Sequence, residues 1–124
     1  MQFDIKNTES SALYKLLTGT VIPRPIAWVA TVDENGIDNL APFSFFNVVS
    51  EDPPHIMLST VRTGNKNKDT LNNLLDNQQF VVNLVTEDVV EQMNTTSQSV
   101  AADVNEFELA NLTPIESIYI KPKR

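Results

Sequence analysis

Apolar positions recur at two different spacings along this chain, and the switches between them mark most of its elements. Leu13, Leu16 and Leu17 fall at i, i+3 and i+4 behind Ser10 and Ser11. That spacing predicts a helix with a hydroxyl cap, and Gly19 supplies its stop. In Pro23-Arg24-Pro25 each proline drives its predecessor to extended geometry and removes a backbone donor, giving a stiff entry into a strand. From Ile26 to Val32 the pattern becomes loose alternation among β-branched and aromatic residues, which predicts that strand. Asp33-Glu34-Asn35-Gly36 tolerates positive φ and predicts a tight hairpin turn, with a second strand from near Ile37. Pro42 falls inside the second strand and assigns it to an edge, a bulge or a bend.

Phe43, Phe45 and Phe46 lie close together, and Asn47 to Ser50 continue in extended form. Pro53-Pro54 breaks the chain before a third strand, Ile56 to Thr60. Arg62 to Lys68 is a polar loop containing Gly64; Asp69 or Thr70 then opens a helix with Leu71, Leu74 and Leu75 as its apolar stripe. Phe80 to Val85 reads as a buried strand. Thr86 caps a short helix, Glu87 to Met93, whose acidic start suits the helix dipole and whose Val89, Val90 and Met93 face inward. Asn94 to Ala102 reads as loop, Asn105 to Leu112 is ambiguous, and Ile115 to Ile120 reads as a last short strand. Five or more closely spaced strands and three small helices predict a mainly β fold, an antiparallel barrel or sandwich with helices on its rim. The first three strands leave no room for crossover helices, which argues against a doubly wound parallel sheet.

Composition narrows the function classes. A length of 124 residues without linker, repeat or low-complexity run fits a single domain over residues 1–124. The net charge of −7 makes nucleic acid a poor partner, because a polyanion needs basic surface. The chain has no cysteine and one histidine, His55, which excludes thiolate chemistry and a multi-histidine metal site and makes a Ser-His-Asp triad improbable. No apolar run is long enough to span a membrane, and the start lacks the order of a secretory signal, so a cytoplasmic protein is expected. No residue stands out as a general acid or base. A domain this small buries a modest share of its surface, and pairing with a second copy would help it.

Two segments carry candidate chemistry. From Arg62 to Lys68, three of the nine basic residues fall within seven positions, among amides, a hydroxyl and a glycine, and run into a helix N-terminus. An Arg fork, Lys charges and free backbone N–H groups suit a phosphate monoester. The same segment reads equally as a solvated loop that keeps the chain soluble. From Asn39 to Asn47, small residues, a bending proline and clustered phenylalanines could shape a slot for a flat ring, with Ser44 and Asn47 bonding its edge. The alternative there is a core strand in which phenylalanines simply pack, which the pattern alone favours.

Five blocks occur in order: Gly19 to Val29, Asn39 to Asn47, Asp52-Pro53-Pro54, Lys66 to Thr70, and Phe80 to Leu84. In them the chain resembles the flavin reductase-like, FMN-binding split-barrel family, in the branch of the nitrilotriacetate monooxygenase reductase component and flavoredoxin. The resemblance implies an antiparallel Greek-key split β-barrel that forms a homodimer and holds FMN near the subunit interface. It implies that Ala41, Phe43, Ser44, Phe45 and Asn47 line the ring, and that Ser59, Arg62, Lys66, Lys68 and Thr70 anchor the phosphate. Arg24 matches a recurring arginine and is expected near the cofactor or the interface. The implied activity passes hydride from NADH or NADPH to flavin, which then serves a partner oxygenase or another acceptor. Flavin N5 carries that chemistry and the protein orients it, consistent with the lack of catalytic side chains. An FMN-binding electron carrier or flavin store, and a non-enzymatic interaction domain with a decayed site, remain alternatives. Family members continue well past Arg124. Either the chain is a fragment or its barrel is C-terminally truncated and closes differently, which bears on reductase activity more than on FMN binding.

Overall fold

One strand organises the molecule. The structure, a computed structural model, describes residues 2–62 and 65–124; Met1, and Thr63 and Gly64 of the expected polar loop, lie outside the described residues. Strand β1 (Ala27–Val32) is buried at every position. Antiparallel β2 (Asp38–Phe43) flanks it on one side and antiparallel β5 (Val81–Asn83) on the other, giving the order β2-β1-β5. The expected hairpin turn joins β1 to β2. Asp33 Oδ1 accepts the N–H groups of Asn35 at 2.9 Å and Ile37 at 2.7 Å, and Gly36 takes φ +84°. These bonds, that from Ile37 foremost, hold the Asp33 carboxyl below its ordinary value. Pro42 sits opposite Trp28 in an edge strand, where its missing N–H breaks no ladder.

A strand buried on both faces needs cover on both, and the two covers differ in chemistry. On one face Trp28, Ala30, Leu40 and Phe107 form an apolar cluster, joined by Val81, Val85, Val89, Met93 and Leu112. On the other, Thr31 and Asn39 stand opposite each other in the register and face helix α2 (Asp69–Asn77). Here the leucine pattern is only partly right. The buried residues of α2 are Thr70 and Asn73, Leu71 and Leu74 are half-buried, and Leu75 is 64% exposed. The stripe that meets the sheet is polar: Thr70 donates to Asn39, Asn73 to Thr31, and Asn77 to the Val32 carbonyl. Side chains offering hydrogen bonds to a polar sheet face win over leucines that would leave it unsatisfied.

After Phe43 the chain bends at Ser44 and Phe45 and enters a second antiparallel pair, β3 (Phe46–Glu51) with β4 (Pro54–Leu58). The expected third strand is thus displaced toward the N-terminus and ends before Ser59. Helix α1 (Ser10–Thr20) follows Glu9 as its N-cap instead of a serine, runs past Gly19 and buries none of its residues. A 3₁₀ turn (Glu87–Val89) leads into α3 (Val90–Thr95), so the expected single helix is split. The ambiguous segment forms α4 (Glu106–Leu109), capped by Asn105 Oδ1 accepting the Phe107 N–H at 3.0 Å. Two strand expectations fail. The run from Phe80 to Val85 pairs only over Val81–Asn83, the length that faces Trp28 to Ala30, and Leu84 is 84% exposed. Residues 115–120 form no strand: Ile115 exchanges backbone bonds with Arg124 at 2.8 and 2.9 Å, pairing with the following segment and not with a sheet. No helix among the described residues is long and apolar enough to cross a membrane.

Candidate functional site

An open cleft of about 600 Å³ lies where the bend after β2, the loop before α2 and the loop after α3 meet. Its first wall is the segment from Ala41 to Phe45. Ala41 to Phe43 pair with β1 along one side only, because β2 is an edge strand, and the chain turns away at Ser44, so this segment is left to line the cleft. Tyr14 reaches over from α1, its ring centroid 6.3 Å from that of Phe45 at a tilt of 48°, within the range of favourable aromatic contact.

The second wall runs from Lys66 to Thr70 and contains the N-terminus of α2. Lys68 is the N-cap, and its carbonyl accepts from Leu71 and Asn72 at 2.9 and 3.1 Å. The N–H groups ahead of Leu71 precede the helix ladder, so this end favours an anion. Among the described residues, no ion pair engages Lys66 or Lys68. Two carboxylates share the lining. Asp69 occupies the first turn of α2, while Glu106 is buried and accepts two hydrogen bonds.

The third wall is the segment from Thr96 to Ala102. Trp28 Nε1 donates to Thr96 Oγ1 at 2.8 Å, and that hydroxyl donates to the Met93 carbonyl at 2.8 Å. The indole of the central strand therefore fixes where this wall begins. Hydropathy does not mark the wall, but composition does: every residue from Thr95 to Ala102 is uncharged, and only Gln98 is larger than valine. Such a stretch presents backbone groups with little side chain in the way.

The cleft brings together Ala41, Phe43, Ser44, Phe45, Ser59, Lys66, Lys68 and Thr70 from the expected site residues. Three others lie outside its lining. Asn47 is exposed on β3, with Oδ1 accepting the Val48 N–H at 2.9 Å. Arg62 is exposed in the loop after β4. The Arg24 guanidinium donates to the Thr18 and Val21 carbonyls at 2.6 and 2.9 Å, a cation closing the C-terminal end of α1. Thr70 is also engaged elsewhere, since its hydroxyl donates inward to Asn39 Oδ1 at 2.8 Å. The cleft thus carries two lysines with the carboxylates of Asp69 and Glu106 at one end, aromatic rings at the other and uncharged residues along the third wall. No histidine is among the residues that line it. Such a site is suited to binding and orienting a ligand that is flat at one end and anionic at the other.

Comparison with known proteins identifies the family. Residues 18–123 match the model of the flavin reductase like domain. An uncharacterized protein of Aquifex aeolicus is 50% identical over 125 residues, an alignment covering 100% of this chain and 64% of that protein. Nitrilotriacetate monooxygenase component B from Bacillus cereus superposes with a TM-score of 0.94 at 40% identity, over 98% of this chain and 61% of that one. A Shewanella frigidimarina structure with a split barrel domain superposes with a TM-score of 0.81 at 21% identity, over 100% of this chain and 62% of its own. The chain therefore spans about three fifths of the length of these relatives. With the family model covering most of its length and its two antiparallel sheets superposing on split-barrel structures, this protein belongs to the flavin reductase like domain family.

Proposed function

We propose that the cleft binds FMN and that the protein is an oxidoreductase of the flavin reductase type, taking hydride from NADH or NADPH. The donor set fits the cofactor. Lys66, Lys68, Asn67, Ser59 and the first N–H groups of α2 match a phosphate carrying about two charges. Phe43, Phe45 and Tyr14 offer aromatic surface for a flat ring, and Ala41 and Ser44 leave room beside it. When bound, the flavin supplies the hydride chemistry at N5. The protein's own residues hold the phosphate, orient the ring plane and exclude water from one of its faces. The observation that carries this reading is the placement of two lysines at a helix N-terminus across one cleft from an aromatic bend.

The likeness to a monooxygenase component B supports an oxygenase as recipient of the reduced flavin. Exposed Val48, Val49, Ile56 and Met57 on the β3–β4 pair support self-association into a homodimer. Titration with FMN and with riboflavin, which lacks the phosphate, tests the site. Lys68→Ala and Lys66→Ala are each expected to weaken FMN by ~10–150-fold, equivalent to ~1.5–3 kcal/mol, and to leave riboflavin unchanged. Equal losses for both flavins overturn the assignment of the phosphate end. Anaerobic NADH or NADPH bleaches the flavin absorbance if the protein is a reductase; FMN binding without bleaching leaves an electron carrier.

A further inference from the structure

We propose that Glu106 is a positioning residue. Its carboxylate sets the direction of a buried hydrogen-bond relay through Asn39 that pins the N-terminus of α2 to β2. Glu106 is 5% exposed, and among the described residues it has no cationic partner. A buried carboxylate of this kind persists only when hydrogen bonds replace its lost hydration. Asn39 Nδ2 donates to Oε1 at 2.9 Å and the Leu40 N–H donates to Oε2 at 3.0 Å. An ionised carboxylate only accepts, so Asn39 has to present its NH₂ group to Glu106 and its carbonyl oxygen the other way.

That orientation decides the rest. Asn39 Oδ1 receives the hydroxyl protons of Thr70 at 2.8 Å and Thr31 at 3.2 Å. With its proton committed, the Thr31 oxygen accepts from Asn73 Nδ2 at 3.1 Å. Every donor in the relay points along one path toward a single carboxylate. Thr70 and Asn73 stand on α2 and Asn39 and Leu40 on β2, so the relay ties the lysine-bearing end of the cleft to the strand that leads into its aromatic end. Thr70 thereby anchors the helix instead of donating its proton to a ligand. The inference rests on the FMN reading only for its consequence in binding; the relay itself is a property of the ligand-free protein.

Exchanging the two polar groups tests it. In Glu106→Gln the amide oxygen takes the Leu40 N–H, and the new NH₂ group faces the NH₂ of Asn39. Turning Asn39 over relieves that clash but removes the acceptor of Thr70. Asn39→Asp sets one buried carboxylate against another. In the double variant the carboxylate at position 39 accepts from Thr31, Thr70 and the new amide, whose oxygen accepts from Leu40. Every bond returns at unchanged net charge.

Amide hydrogen exchange on the ligand-free protein reads the outcome at Leu71 and Asn72, whose N–H groups bond to the Lys68 carbonyl. Each single variant is expected to lose about tenfold or more of their protection, the double variant to recover to within about threefold, and Thr96 in the α3 end to stay unchanged throughout. A single variant that fails to fold beside a double variant that folds supports the relay. Unchanged protection in both single variants, or a double variant no better than either, overturns it. FMN affinity is expected to follow the same order of variants. If the wild-type protein does not take up FMN, the functional reading falls, while the exchange pattern still decides the relay.

Discussion

Lys123→Met removes the cation that faces a buried carboxylate at the first residue of β2. Lys123 Nζ lies 3.0 Å from Asp38 Oδ2 and 3.7 Å from Glu116 Oε1; the side chain of Asp38 is 5% exposed, that of Lys123 32% and that of Glu116 80%. Breaking a fully buried pair costs ~3–5 kcal/mol, and an exposed pair contributes ~0–1 kcal/mol. Here water reaches the lysine but hardly reaches the aspartate, so the expected loss lies between these limits, at ~1–3 kcal/mol. For a domain of this size that lowers Tm by roughly 3–15 °C. Thermal and urea unfolding followed by circular dichroism measure it.

The pH dependence has a definite sign. The hydrogen bond to Asp38, followed by the charge of Asp38, raises the Lys123 pKa above its ordinary value. The stabilisation is therefore complete below the unfolded lysine pKa of about 10.4 and is lost as pH rises through the higher folded value. The gap between wild type and Lys123→Met stays constant from pH about 6 to about 9 and closes only above about 10.4. Adding Asp38→Asn removes the stranded charge and restores most of the loss. A gap below about 0.5 kcal/mol, or one that already closes near pH 8, refutes the reasoning.

Three further outcomes are expected. Gly36→Ala costs ~1–2 kcal/mol in urea unfolding, all of it backbone strain at φ +84°, since an added Cβ meets nothing within 4 Å; an unchanged midpoint contradicts the turn geometry. Trp28→Phe costs ~2–4 kcal/mol by leaving Thr96 without its donor and the core underfilled, and it speeds amide exchange at Ser97 and Gln98 in the third wall. Leu40→Ala costs ~2–5 kcal/mol, whereas Leu84→Ala stays within about 0.5 kcal/mol, because Leu40 is 1% and Leu84 84% exposed. Similar costs for both leucines refute the assignment of the core face.

The features legible along the chain are those set by near neighbours. The prolines ahead of β1, its β-branched run and the Asp-Glu-Asn-Gly turn act over a few residues, and Pro42, which lacks one donor, predicts an edge, a bulge or a bend, of which the structure has the edge. The two segments that form the cleft's first two walls are marked in the same way, as a basic, amide-rich segment and a bent aromatic one, although the pattern reads the first equally as a solvated loop and favours a packed core strand for the second. The third wall is not, because nothing local joins it to the others; it arrives through a bond between Trp28 and Thr96, 68 residues apart. The family blocks end at Leu84 and do not include it.

Helix α2 shows where local pattern gives way to packing. Its spacing correctly announces a helix, but Leu71 and Leu74 are only half-buried, Leu75 is exposed, and the fully buried positions are Thr70 and Asn73. Periodicity records which side chains share a face, but what covers that face depends on partners 31 and 42 residues away in Asn39 and Thr31. Once Glu106, 67 residues from Asn39, orients that amide, the sheet surface demands hydrogen-bonding side chains, and Thr70 and Asn73 meet the demand where leucine cannot. Most element types are thus written in short stretches of chain. Which face is buried, and which groups share the cleft, follow from closing long loops so that buried polar atoms find partners, a condition that no single stretch contains.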